Sequence, residues 1–180
     1  MNPVYGRILS VMILAALCLS ESYAQPRSAG ISFSFGGIGV VYDTIIDKNT
    51  FASFDARAET AQLFSGYSPS SIPGFSASFT WNLIFARHVS RNGNEVRFFA
   101  GPGITAGYAE DFGRRKGIVC GLKGRVGGEC TFDRKISISI SVAPIIGAHL
   151  SKGIEMTEMN LYRSGIFNSL LPEIMIKYAF

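Results

Sequence analysis

The sequence has little charge, few reactive side chains and no long hydrophobic run. Only 17% of its 180 residues are Asp, Glu, Lys or Arg, and it contains three cysteines, two histidines and one tryptophan. His88 and His149 lie far apart in the chain, with no cysteine or carboxylate at ligand spacing, so no metal site is implied. No Gly-x-Ser-x-Gly elbow is present, and Gly101-Pro102-Gly103 and Gly127-Gly128 fall inside strand patterns rather than between a strand and a helix. They are not phosphate loops, and no cofactor is called for. The one extended apolar stretch, Val11 to Leu19, is shorter than the roughly 18 residues that span a bilayer as a helix. Beyond it the longest unbroken run is Leu83-Ile84-Phe85-Ala86. The net charge of +4 is mild and spread along the chain, which does not suggest a nucleic-acid partner.

What is present is apolar and aromatic: 47% hydrophobic residues, 14 phenylalanines, seven tyrosines and 20 glycines, with a mean hydropathy of +0.24. Such a composition excludes intrinsic disorder. At the amino terminus Arg7 precedes the apolar stretch, and Ser22-Tyr23-Ala24 follows it as a small-x-small cleavage site. Residues 1–24 read as a secretory signal peptide cut between Ala24 and Gln25, leaving 25–180 as a single domain. A lipoprotein signal at Cys18 is disfavoured, because the large Leu17 stands where a small residue belongs.

Along the remaining chain the dominant period is two. From Phe75 to Phe85 every odd position is apolar and most even positions are small or polar, the pattern of a strand with two unlike faces. Arg91-Asn92-Gly93-Asn94 reads as a hairpin turn, since Asn-Gly readily takes positive φ. Val96 to Tyr108, Ile118 to Phe132 and Ile136 to Val142 alternate in the same way. Weaker versions run from Gly30 to Tyr42, where a glycine-rich change of phase intervenes, from Phe51 to Leu63, and from Pro172 to Phe180. These are seven strands. An eighth is expected within Ile154 to Tyr162, because a barrel with both termini on one side needs an even count.

A soluble antiparallel barrel keeps its apolar face inward, whereas a membrane barrel turns it to lipid and encloses a polar lumen. The polar face here is rich in Ser, Thr, Gly and Ala, where a water-exposed sheet would carry more Lys, Glu and Asp. The reading is therefore all-β: an antiparallel up-and-down transmembrane β-barrel of eight strands, in the outer membrane of a Gram-negative-type envelope.

The export signal, the alternating strands and a last strand ending Ile174, Ile176, Tyr178, Phe180 resemble the small outer-membrane β-barrels of the OmpA transmembrane-domain and OmpX kind, grouped with the porin family. The resemblance implies that this final strand is an assembly signal read by the barrel-assembly machinery. The usual signal carries glycine five residues before the terminal aromatic, and this chain has Met175 there. It also implies a monomer whose partners are outer-membrane lipid and that machinery.

Three sets of residues bear on function. Cys120 and Cys130 lie on one face of one strand, about 33 Å apart at strand rise, too far to bridge, so they are expected as lipid-facing free thiols. His88 is expected on the inward phase of Ser76, Ser78, Thr80 and Asn82, and His149 is followed by Ser151. A lipid hydrolase is thus an alternative, although no specific motif supports it. The charges Asp55, Arg57, Glu59, Arg97, Lys123, Arg125, Glu129, Glu173 and Lys177 share the inward phase, five cations against four anions. In a narrow lumen they are expected to pair into a plug that fixes strand register, with a narrow channel as the alternative. The function that follows is structural, anchoring or adhesive, through loops expected at Ser65–Pro73, Ala109–Lys116 and Ser151–Ser169. No enzymatic activity is assigned.

Overall fold

The computed structural model describes residues 27–59, 74–111, 116–152, 157–169 and 171–180. They form β1 (Arg27–Ser34), β2 (Gly37–Asp47), β3 (Thr50–Glu59), β4 (Gly74–Val89), β5 (Glu95–Glu110), β6 (Lys116–Phe132), β7 (Ile136–Val142), β8 (Ile145–Lys152), β9 (Thr157–Leu161), the helix α1 (Arg163–Ser169) and β10 (Glu173–Ala179). Residues 1–24, with Ala24 and Gln25 at the expected cleavage point, lie outside the described residues, as do 60–73, 112–115 and 153–156.

Every pairing is antiparallel, and the β5–β6 and β1–β10 pairs close the sheet on itself. The closed ring is β1-β2-β3-β4-β5-β6-β7-β10, an eight-stranded barrel. The two additional strands extend existing staves. β6 pairs with β7 over Val126–Phe132 and with β8 over Gly117–Lys123, so β7 and β8 are one stave interrupted at Ala143-Pro144. Pro144 has no N–H to give the ladder, and its carbonyl instead accepts from Gly124 N at 2.9 Å. The eighth stave is likewise divided: β9 pairs with β8, β10 pairs with β7 and β1, and α1 lies between them.

The expected count of eight holds, but the eighth strand arises elsewhere than expected. The stretch 30–42 is not one strand with a change of phase. It folds as the β1–β2 hairpin about Phe35-Gly36, where Ser34 Oγ accepts from Gly37 N at 3.1 Å. Thr157–Leu161 is a strand, yet it belongs to the same stave as β10. Three turns, at 48–49, 90–94 and 133–135, lie at the end that holds Arg27 and Phe180, whose backbones bond to each other. The ends of β3, β5 and β8 and the starts of β4, β6 and β9 lie at the opposite end, and the expected loop Ser65–Pro73 falls outside the described residues. Of the expected loop Ser151–Ser169, much is regular structure, and Ala109, Glu110 and Lys116 belong to β5 and β6.

The two faces are inverted relative to a soluble barrel. On β4, Phe75, Trp81, Leu83 and Phe85 are exposed, whereas Ser78, Thr80 and Asn82 are buried. On the closing strand Ile174, Ile176 and Tyr178 point outward, and Glu173, Met175 and Lys177 point in. No helix among the described residues is long and apolar enough to cross a membrane; the apolar surface belongs to strands. Several strand glycines leave no room for a side chain, Gly101 among them. A Cβ on Gly101 would collide with the carbonyl oxygen of Trp81 and come within 2.7 Å of Asn82 Cα. Beside it Pro102 cannot donate, and the β4–β5 pairing skips from Thr80↔Gly103 to Leu83↔Ala100.

Candidate functional site: the filled lumen

Alternation on each strand delivers the same kind of residue to the interior, and closure then brings together residues far apart in sequence. Toward the termini, Lys177 on β10 bonds both Asp43 on β2 and Glu129 on β6. Glu129 also pairs with Arg97 on β5 at 2.6 Å. Further along the lumen Lys123 on β6 meets Asp55 on β3 at 2.7 Å, and Arg57 bonds Glu173 and approaches Asp55 at 3.9 Å. Arg57 Nη1 donates to Ser34 Oγ at 3.2 Å as well. Nearer the loop end, Glu59 is hydrogen-bonded to Tyr162.

Arg125 is held differently from the other cations. No carboxylate lies within ion-pair distance of it among the described residues. Its Nη1 donates to Ser53 Oγ at 2.9 Å, its Nε to Ser141 Oγ at 3.4 Å, and its Nη2 faces Met175 Sδ. Ser53 in turn donates to Asp43, so one hydroxyl links Arg125 to the carboxylate that Lys177 also bonds. The guanidinium carbon stands 5.1 Å from the Phe99 ring centroid, and that of Arg97 stands 4.6 Å from the Phe51 ring. Ring faces are attractive to cations in a site that excludes water.

Asp43 went unread in the sequence. It is 2% exposed, and with it the inward charges number five cations and five anions. Continuing the alternation past Tyr42 would have found it, because Val41 and Asp43 share a phase. The apolar interior residues are also new. Phe51, Ile84 and Phe99 form a buried cluster with Ile45 against it, the two rings edge to face at 5.2 Å. At the opposite end Tyr162 packs with Ala109, Val119 and Ile145 and stacks on His149 at 6.1 Å. Met175 fills the lumen and is fully buried.

The histidines part company. Between Ile84 and Ala86 the β4–β5 register shifts by a bulge, so Arg87 pairs with Arg97 and His88 with Val96. That extra residue turns His88 to the outward phase, where it is exposed, contrary to the inward position expected of it. His149 faces the lumen, 2% exposed, with Nε2 at 3.2 Å from the Ala109 carbonyl oxygen. Ser151 is equally buried on the same face. Cys120 and Cys130 are both free, the first exposed and the second half-buried. Among the described residues no three His, Cys, Asp or Glu side chains gather as a metal site.

A closed eight-stranded ring with an apolar exterior and a charged, packed interior defines a small barrel of the outer-membrane type. No family model matches the chain, and no curated protein matches it in sequence. Among solved structures it is similar to the N-terminal β-barrel domain of Pseudomonas aeruginosa OprF, at 11% identity over 86% of this chain and 96% of that one, with a TM-score of 0.49. It is also similar to Ail, the attachment invasion locus protein of Yersinia pestis, at 13% identity over 88% of this chain and 100% of that one, with a TM-score of 0.36.

Proposed function

We propose that the protein is an outer-membrane anchor, exported by the signal peptide 1–24 and inserted by the barrel-assembly machinery through Ile174, Ile176, Tyr178 and Phe180. In this reading it is a monomer that holds the connections between its strands at the cell surface for adhesion or envelope integrity. The observation that carries it is the chain of ion pairs across the lumen, from Asp43 and Glu129 on Lys177 to Asp55 on Lys123 and Glu173 on Arg57. Charges so paired resist separation, because each buried ion left alone costs several kcal/mol. A conducting path would have to part them at every passage. The test is conductance: purified protein in planar bilayers is expected to give no stable current. Reproducible open steps that shift in ion preference in Lys123→Gln would overturn the anchor in favour of a channel.

A lipid hydrolase would need its nucleophile where an ester can reach it. The inward burial of both His149 and Ser151 favours anchoring over that alternative.

A further inference from the structure

The end of the barrel that holds the termini carries exposed cations that make no ion pair among the described residues. Lys48, Arg91, Arg134 and Lys135 are all exposed, one or two in each of the three turns at that end, and none is ion-paired among the described residues. Arg87, nearby on β4, is already paired with Glu95 at 2.8 Å. The carboxylates exposed there are Asp47, whose Oδ1 accepts from Lys48 N at 2.7 Å, and Asp133. Two of the three cationic turns are flanked by exposed apolar side chains on the outward phase, Ile46 before Lys48 and Phe132 and Ile136 on either side of Arg134 and Lys135, while Val89 before Arg91 pairs with Glu95 on the inward phase at the barrel mouth. The third turn is also built against backbone preference. Asp133 and Arg134 take φ of 49° and 58°, the left-handed region, where glycine or asparagine would be at ease.

We propose that this rim is a binding surface for anionic phospholipid, taking phosphate headgroups of the adjacent leaflet on Lys48, Arg91, Arg134 and Lys135. The proposal rests on the membrane-barrel reading above. Its argument is complementarity at a fixed depth. The apolar neighbours set the edge of the hydrocarbon, and the cations stand one or two residues beyond it, where lipid phosphates lie. A long basic side chain there keeps its stem on apolar surface and its charge among the headgroups. Near an anionic surface each Lys or Arg favours association by on the order of fivefold, an effect that salt screens. Headgroups of no net charge lack the attraction.

The lone tryptophan supplies the readout. Trp81 is exposed on the lipid-facing side of β4. Three residues on, Ile84 N donates to Asn49 O at 2.7 Å, which ties this strand to the Lys48 turn. Barrels reconstituted in mixed phosphatidylcholine and phosphatidylglycerol vesicles would be compared with either lipid brominated in its acyl chains. Quenching by brominated phosphatidylcholine alone reports that Trp81 meets lipid. Its absence would sink the membrane reading itself and the rim with it. Given that quenching, phosphatidylglycerol is expected to be preferred at low salt by about fivefold, the effect of one cation on one headgroup, with the preference gone in 0.5 M salt and in the K48Q/R91Q/R134Q/K135Q variant. Equal quenching by the two lipids, or a preference that survives in the variant, would overturn the proposal while leaving the barrel in the membrane.

Discussion

The termini half and the loop half of this barrel are closed by different means. In the first, β1, β10, β7 and β6 are bonded in unbroken succession, and ion pairs tie β2, β6 and β10 across the lumen. In the second, β9 pairs with β8 alone among the described residues, and α1 replaces the strand that would continue toward β10. What holds α1 is a set of single contacts. Asp111 accepts from the backbone N–H groups of Arg163 and Ser164, at 3.3 and 2.8 Å, and from the Ser164 hydroxyl at 2.9 Å. Tyr162 stacks on His149 beneath it. A wall bonded on both sides over-determines the position of its inward side chains, so charges can be buried there with their partners assured. Where a stave is interrupted, closure depends on caps and ring contacts, each worth about 1 kcal/mol.

The comparison is broken most severely at Lys177. Lys177→Met keeps the bulk of the side chain but leaves Asp43 and Glu129 without their shared cation. A loss of about 3–5 kcal/mol is expected if the site stays dry. Urea titration in detergent, followed by the shift between folded and unfolded bands on unheated gels, would measure it. A loss near zero would mean that water reaches the lumen and screens the pair. Met175→Ala probes the same half through packing, together with the contact that its sulfur makes with Arg125. Removing a fully buried side chain is expected to cost about 2–3 kcal/mol by transfer and cavity terms, with no change in charge.

The loop half should respond more weakly and locally. Asp111→Ala removes three hydrogen bonds from the start of α1, which is expected to cost roughly 1 kcal/mol, as other helix caps do. Hydrogen exchange would locate the effect: faster exchange over 163–169 with the β1–β10 amides unchanged. If those amides also loosen, the two halves are one cooperative unit.

The difference between the halves also explains what could be read from sequence. A membrane barrel segregates lipid-facing and lumen-facing residues every second position, so β4, β5 and β6 announce themselves through their own alternation. Features that depend on where the alternation stops are less legible. The β1–β2 turn is only two residues, Phe35-Gly36, with apolar strands on either side, and so looks like one strand that slips phase. The bulge after Ile84 adds one residue and reverses the face of His88, and nothing in Ile84-Phe85-Ala86 marks it. Partners in the lumen are set by closure: Lys177 and Asp43 are separated by 134 residues and meet only because β1 pairs with both β10 and β2. Local pattern can give the phase of each charge, but the choice of partner belongs to the topology. The division of the eighth stave is hidden for the same reason, since α1 is short and takes its cap from Asp111 beyond β5.

The smallest effect is expected at the thiols, where chemistry can sharpen the map of the two halves without disturbing either. β6 runs the full height of the wall, and Cys120 and Cys130 mark its loop half and its termini half, opposite Ala106 and Val96 respectively. Both are free, so reduction should leave the mass unchanged, and a bilayer-soluble maleimide should label both in the folded protein. The rates should differ, because Cys120 is exposed and Cys130 is half-buried, its strand neighbours being Val96 and Ile138. Cys120→Ser, an exposed substitution away from the lumen, is expected to change stability by no more than about 0.5 kcal/mol. A gain of two protons on reduction would mean instead that the two residues are paired. No strand can bridge positions so far apart along its own length, so that result would break β6, and with it the wall that both halves share.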